Sequence, residues 1–217
     1  MKKSIKIGSR PSRLAIKQVE EIKLLLPEID FQLITIYTKG DKDKASSLLN
    51  QQNSDFFTFE LEQALLNNQI DAAVHSAKDL EKDLPQGLVV AALTNSISPL
   101  ECLVSKNNII LKSLPRGSRI GTSSQKRKDA VLRFRPDLKI KDIRGNIDER
   151  LRQLENNEFD AIIVAHAAMI RLGYENRITQ IIPEEIMEPH PLQGRLAVQV
   201  LESRRDLLDI FRSIDER

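Results

Sequence analysis

The sequence predicts an α/β protein of two domains with mainly parallel sheets. Short apolar runs alternate with amphipathic segments along the whole chain, the pattern of strands joined by crossover helices. The elements are too numerous for one compact sheet in 217 residues. Two stretches, Asn95-Ser96-Ile97-Ser98-Pro99 and Glu188-Pro189-His190-Pro191, have the composition of connecting hinges. The expected division is 1–95 plus 194–217 as one domain and 96–193 as the other, with a cleft between them.

The elements follow in order. Ser4–Gly8 is a strand ending at a glycine, and Arg13–Leu26 is a helix with Leu14, Ala15, Val19, Ile22 and Leu26 near one face. Phe31–Thr38 is a strand, and Thr38–Asn53, polar and without a period, is a mobile loop. Phe59–Asn67 is a helix whose first turn holds Glu60 and Glu62, favourable to its dipole. Ile70–His75 and Leu88–Leu93 are strands. In the second domain Cys102–Ser105, Arg119–Gly121, Leu138–Ile143 and Ala161–Ala165 are strands. Between and after them, Ser123 or Ser124 caps a helix reaching about Arg133, Ile147–Asn156 is a charged helix, and a helix through Leu172 ends at Gly173. Leu196–Val200 and Arg204–Ile214 form a last strand and helix.

Composition narrows the function. At 41% hydrophobic and 29% charged, the chain is of ordinary globular make-up. A net charge of +2 argues against a nucleic-acid binder, and no apolar run is long enough to span a bilayer. The N-terminus carries no leader pattern, and a single cysteine, Cys102, suits a reducing compartment, so a cytoplasmic location is expected. His75, His166 and His190 share no ligand spacing with one another or with Cys102, so no metal is expected.

Four clusters at strand ends carry the chemistry. In Gly8-Ser9-Arg10-Pro11-Ser12-Arg13 the glycine permits a tight turn, Ser12 can cap the helix, and Arg10 with the free amides makes an anion site; taken alone, the segment reads better as a plain cap with two solvated arginines. In Val74-His75-Ser76-Ala77-Lys78-Asp79-Leu80, Lys78 and Asp79 are either a solvated pair or, in a cleft, an acid able to stabilise a developing cation or move a proton; His75 suits the core better. In Gly121-Thr122-Ser123-Ser124-Gln125-Lys126-Arg127-Lys128, hydroxyls, amides and cations converge at a helix N-terminus, where cations are unfavourable unless an anion joins them. In Asp142-Ile143-Arg144-Gly145-Asn146, Arg144 leaves a strand, Gly145 and Asn146 turn the chain, and Arg150 follows two turns later; a salt-bridged surface helix is the alternative. Together these describe a cleft lined by arginines, with one conspicuous acid, for a ligand carrying several carboxylates or phosphates. No P-loop, dinucleotide fingerprint or nucleophile–base pair is present.

The blocks KIGSRPSRLAIKQ, FTFELEQALLNNQIDAAVHSAKDL, LPRGSRIGTSSQKRKDAVL, RPDLKIKDIRGNIDERL and FDAIIVAHAAMIRLGYENRI, in this order, resemble the porphobilinogen deaminase (hydroxymethylbilane synthase) family across nearly the whole chain. The resemblance implies two periplasmic-binding-protein-like domains. It implies a transferase that condenses four porphobilinogen molecules, with release of ammonia, into the linear tetrapyrrole hydroxymethylbilane of porphyrin and heme biosynthesis. It also implies a dipyrromethane cofactor, thioether-linked to a cysteine of a third domain. Asp79 is then the catalytic acid at the pyrrole nitrogens, with Lys78 its neighbour. Arg10, Ser12, Lys126, Arg127, Arg144, Arg150 and Arg171 match positions that hold acetate and propionate carboxylates or assist catalysis, and Gln18 and Gln193 match positions near substrate or cofactor.

The chain departs from the pattern in places. After Arg217 no cysteine-bearing third α+β domain follows, and Cys102 does not match the attachment cysteine. Ser54 and Phe59 stand where lysines are usual, and Lys126 where arginine is. The expected function is porphobilinogen condensation. The alternative is a non-catalytic binder of pyrrole or tetrapyrrole carboxylates derived from that enzyme. Oligomeric state is not legible.

Overall fold

The computed structural model describes residues 4–42, 54–81 and 83–217. The chain divides into two compact units: residues 4–42, 54–97 and 194–217 form the first, and 98–193 the second.

The first unit is built in chain order from β1 (Ile5–Ser9), α1 (Arg13–Leu25), β2 (Phe31–Thr35), a short α2 (Lys39–Lys42), α3 (Phe59–Leu66), β3 (Ala72–Ser76) and β4 (Leu88–Leu93). The second contributes β5 (Glu101–Ser105), β6 (Arg119–Gly121), α4 (Gln125–Phe134), β7 (Lys139–Lys141), α5 (Ile147–Glu155), β8 (Ala161–Ala165), α6 (His166–Leu172) and β9 (Gln180–Ile182). The chain then returns to the first unit with β10 (Leu196–Leu201) and α7 (Arg205–Phe211).

Each unit holds a five-stranded sheet, β2-β1-β3-β10-β4 in the first and β7-β6-β8-β5-β9 in the second. In the first sheet β1 runs parallel to β2 and β3, and only β10 is reversed, antiparallel to β3 and β4. In the second, β6 runs parallel to β7 and β8, and β5 is reversed, antiparallel to β8 and β9. Both sheets are therefore mixed, with four of five strands running one way and two parallel and two antiparallel pairings in each.

The strands read as near-continuous apolar runs because both faces are covered. In β3, Ala72 and Val74 pack with Val19 and Ile22 of α1 and Leu207 and Phe211 of α7, while Ala73 packs with Leu61, Ala64 and Leu65 of α3. In β8, Ala161 and Ile163 join Ala130 and Val131 of α4; Ile162 and Val164 join Leu151 and Leu154 of α5 and Met169 of α6. The period of two along each strand thus feeds two separate cores.

Several expectations change. The strand expected over Phe31–Thr38 stops at Thr35, and Lys39–Lys42 forms a helical turn where a loop was expected. Residues 43–53 of that loop lie outside the described residues. The strand expected over Leu138–Ile143 shortens to Lys139–Lys141, and β9 was not foreseen. Gly8 does not turn the chain. It lies inside β1, where a Cβ would come within 2.3 Å of Ile70 Cδ1, so the glycine serves close packing.

Candidate functional site

In the first unit the sequence-predicted residues meet beyond the carboxyl ends of β1 and β3, the usual place for ligands on parallel strands. Arg10, Ser12, Gln18 and Asp79 line one pocket with Phe57, Thr58, His75 and Ser76. Ser12 is the N-cap of α1, its Oγ accepting from the Ala15 amide at 3.2 Å. Gln18 is buried on the inner face of α1 and donates through Nε2 to Ser76 Oγ at 2.8 Å. Lys78 and Asp79 share the single 3-10 turn Ala77–Asp79 after β3. Asp79 lines the pocket and Lys78 does not. Among the described residues the Asp79 carboxylate has no hydrogen bond or ion pair.

Arg10 is already occupied. Its Nε and Nη2 grip Asp41, with Nη2 to Oδ1 at 2.5 Å, and its guanidinium lies 4.3 Å from the Phe57 ring centroid. Burial alone would raise the Asp41 carboxyl; Arg10, with the Thr38 amide and hydroxyl, outweighs it and holds the group below the usual carboxylate range. His75 lies 5% exposed at the end of β3, and loss of water pushes its imidazole down to about 4, with Arg10 adding and Gln199 opposing. At neutral pH the pocket therefore combines a compensated arginine, a neutral imidazole and one uncompensated carboxylate.

The second unit gathers cations beyond β6 and β7. Ser124, not Ser123, caps α4, its Oγ accepting from the Arg127 amide at 3.4 Å. Thr122 is buried and accepts from the Ser124 amide at 3.3 Å. The Ser123 hydroxyl sits between the Asp142 carboxylate and the Ile143 backbone, accepting from the Ile143 amide at 3.2 Å, and so ties two loops together. Lys126 points to the Pro189 carbonyl at 3.1 Å and to Glu188 at 3.3 Å.

Arg127 forms a buried pair with Glu101, a partner no motif disclosed, and its Nη1 donates to the Ile163 carbonyl at 3.2 Å. Gly145, at φ +97°, turns the chain into α5, whose N-cap Asn146 forms a reciprocal capping box with Glu149. A Cβ on Gly145 would lie 2.7 Å from Glu149 Oε2, so both conformation and space require glycine. Arg150 donates Nε to the Gly145 carbonyl at 2.8 Å. Desolvation, then repulsion from Arg127 and Arg144, brings Arg150 down to about 10 against the pull of Asp142 and Glu149. It is still a cation at neutral pH, and a strained one that an anion would relieve.

Arg171 lies in the last turn of α6. Gln193, 1% exposed, donates Nε2 to the carbonyls of Pro99 and Leu100 at 2.8 and 3.1 Å. Sequence patterning gave no sign of Asp41, which pairs with Arg10, or of Phe57, which lines the pocket. Among the described residues no cluster of His, Cys, Asp and Glu could hold a metal, and no helix is long and apolar enough to cross a membrane.

Cys102 is fully buried on β5, its Sγ donating to the Val164 carbonyl at 3.5 Å. Burial and then Glu101 push its thiol up to about 12, with Arg127 opposing. A dipyrromethane fits the chain in one respect and not in another. Its carboxylates suit the arginines around Arg150, whereas the buried, protonated Cys102 does not suit a thioether link.

The family described as "Porphobilinogen deaminase, dipyromethane cofactor binding domain" matches residues 5–209. The porphobilinogen deaminase of Brevibacillus brevis is 40% identical over 215 residues, covering 97% of this chain and 70% of that protein. That of Bacillus subtilis is 42% identical over 216 residues, covering 97% and 69%. Among solved structures, the Bordetella pertussis BvgS periplasmic VFT2 domain aligns over 97% of this chain and 86% of its own, at TM-score 0.53 and 12% identity. An ancestral arginine-binding protein bound to arginine aligns over 97% and 90%, at TM-score 0.51 and 12% identity. These two likenesses establish the fold, a periplasmic-binding-protein-like pair of α/β domains. The family match and the identities over nearly all the chain show that it belongs to the porphobilinogen deaminase family.

Proposed function

We propose that this chain condenses porphobilinogen head to tail, with release of ammonia, into the linear tetrapyrrole hydroxymethylbilane. One observation carries the reading: among the described residues, Asp79 is the single uncompensated charge of the first unit's pocket. When ammonia leaves the aminomethyl group of porphobilinogen, positive charge develops on the pyrrole. A carboxylate in a half-buried pocket stabilises that charge, and it also accepts the pyrrole N–H. Arg10 does not oppose it, because Asp41 compensates its charge, and His75 adds none.

The arginines of the second unit suit ligand carboxylates. Arg144 and Arg150 are the main holders in this proposal. Arg127 has part of its donor set committed to Glu101 and Ile163, and so contributes chiefly charge. Thr122, Ser123 and Ser124 shape the turn that presents these groups. A dipyrromethane, when bound, supplies the pyrrole terminus from which the oligomer grows. Of this chain's own residues, the arginines would hold its carboxylates, and buried Cys102 would form no thioether to it.

A second reading, a non-catalytic binder of pyrrole or tetrapyrrole carboxylates, is favoured by the burial of Cys102 alone. The two are separated by incubating the folded chain with porphobilinogen while following ammonia and porphyrin formation and the intact mass. Turnover at unmodified mass, lost about 100- to 1,000-fold in Asp79→Asn, is the outcome expected of the transferase. Binding without consumption would establish the second reading. Turnover unaltered in Asp79→Asn would remove Asp79 from the mechanism.

A further inference from the structure

Behind the pocket wall runs a line of buried polar groups that the proposed mechanism does not use. In β10, Leu196, Val198 and Val200 enter the core under α1 and α7, so Gln199 faces the α3 side, where it is wholly buried. Its Nε2 donates to Oε1 of Glu62, itself 6% exposed on α3, at 3.1 Å. Gln199 Oε1 and His75 Nε2 are both buried, and neither closes a hydrogen bond of ordinary geometry. β10 pairs antiparallel with β3, Ala197 opposite His75 and Gln199 opposite Ala73, so the carboxamide and the ring are diagonal neighbours on one face of the sheet, and the carboxamide raises the ring's proton affinity against the effect of burial.

Donor and acceptor roles follow from this order. An amide that donates through Nε2 to a carboxylate turns its oxygen to the other neighbour, and an oxygen can only accept. A neutral imidazole facing that oxygen relieves both buried atoms by carrying its proton on Nε2. The lone pair is then on Nδ1, and His75 lines the same pocket as Asp79. We infer that Glu62 and Gln199 lock His75 in the Nε2–H tautomer, so that Nδ1 is a second acceptor, beside Asp79, for an N–H donor of the ligand. His75 is on this view a binding residue, and Gln199 and Glu62 are positioning residues acting through it. The identity of the donor, a pyrrole N–H or an aminomethyl ammonium, rests on the function proposed above; the tautomer does not.

Long-range ¹H–¹⁵N spectra of the full chain at neutral pH test the lock directly. The expected result is a neutral His75 protonated on Nε2, with the Nδ1–H form emerging in Gln199→Leu. A wild-type ring protonated on Nδ1 overturns the lock. So does an unchanged tautomer in Gln199→Leu when its remaining spectrum shows the native fold. Adding porphobilinogen is expected to move the Nδ1 resonance. A resonance that stays in place while the protein consumes porphobilinogen overturns the ligand contact and leaves the proposed function standing. Failure to bind porphobilinogen at all overturns that function and the contact with it, whereas the tautomer is decided by the ligand-free spectra.

Discussion

Arg127 and Glu101 meet as a bidentate ion pair, Nε to Oε1 at 2.9 Å and Nη2 to Oε2 at 2.7 Å, with side chains only 11% and 7% exposed. A carboxylate on the first residue of β5 thereby fixes a guanidinium from the first turn of α4. The pair joins two elements of the second unit and also sets how much of Arg127 can face a ligand.

Removing either partner strands the other charge in a water-poor site. Arg127→Ala and Glu101→Ala are each expected to cost about 3–5 kcal/mol in urea unfolding. The double substitution Arg127→Met with Glu101→Leu is expected to regain most of that stability. If the double variant is stable but still turns over porphobilinogen poorly, Arg127 acts on the ligand. If it recovers turnover as well, the role of Arg127 is structural.

Arg150 presents the opposite case, a buried cation pressed by Arg127 and Arg144. Ligand carboxylates should relieve that repulsion. Porphobilinogen at about 100 times its dissociation constant is expected to stabilise the wild type by about 2.7 kcal/mol, seen as a raised melting temperature. Arg150→Met, which removes the strained charge but keeps the aliphatic stem, is expected to melt no earlier than wild type without ligand and to lose most of the ligand-induced rise. A full rise in Arg150→Met would show that the carboxylates bind elsewhere.

His75 gives stability a distinctive acid limb. Its folded value of about 4 lies below the ordinary histidine value of 6.5, so between these limits the unfolded chain takes up a proton that the folded chain refuses. Stability is thus intact above pH 6.5 and falls as pH drops towards 4, by about 3 kcal/mol over the whole window. Asp41, Asp137, Asp160, Asp206 and Asp215, all lowered from 3.8, lose their contribution only below that window. Urea unfolding at pH 7, 6, 5 and 4 should therefore show a slope in the wild type that His75→Asn largely abolishes. Parallel slopes would mean that the imidazole is not held neutral.

Cys102 is expected to be inert while the chain is folded. With its thiol up at about 12 and wholly buried, iodoacetamide at pH 8 should leave it unlabelled until urea is added. Cys102→Ala should retain the turnover of the wild type at an unmodified intact mass. Rapid labelling of native protein, or a dipyrrole mass that disappears in Cys102→Ala, would make this thiol an attachment point after all.

What was legible in the sequence follows the same physical lines. Strands such as Ala161–Ala165 announce themselves because both faces are buried and no polar residue interrupts them. Gln180–Ile182 is too short to show a period, and Lys39–Lys42 carries three charges in four residues. That turn is held partly by distant partners: Asp41 accepts from Arg10 and the Lys39 amide donates to Glu60 Oε1 at 2.9 Å, besides the local bonds from the Thr38 amide and hydroxyl to the Asp41 carboxylate at 3.1 and 2.9 Å. Arg10 and Asp79 stand out as motif residues at strand ends, but their chemistry depends on residues far along the chain. Asp41 is 31 positions from Arg10, and Gln199 is 137 from Glu62. A glutamine in the middle of Leu196–Leu201 was the one local sign of a buried polar line, since such a position otherwise takes an apolar residue.

Asp41 offers the sharpest test of the pocket's electrostatics. Its carboxylate cancels the Arg10 guanidinium, leaving Asp79 as the net charge. In Asp41→Asn the shape is kept and the cancellation is lost, so Arg10 competes with the cation developing on the substrate for Asp79. The variant is expected to lose about 1.5–3 kcal/mol of stability with the charge-assisted bonds, and kcat should fall about tenfold at low salt. Because the new repulsion acts partly through solvent, added salt should restore part of kcat, whereas a fold defect would not respond in that direction. A kcat indifferent to both the substitution and the ionic strength would mean that Arg10 never opposes Asp79, and that Asp41 serves only to hold the turn after Thr38.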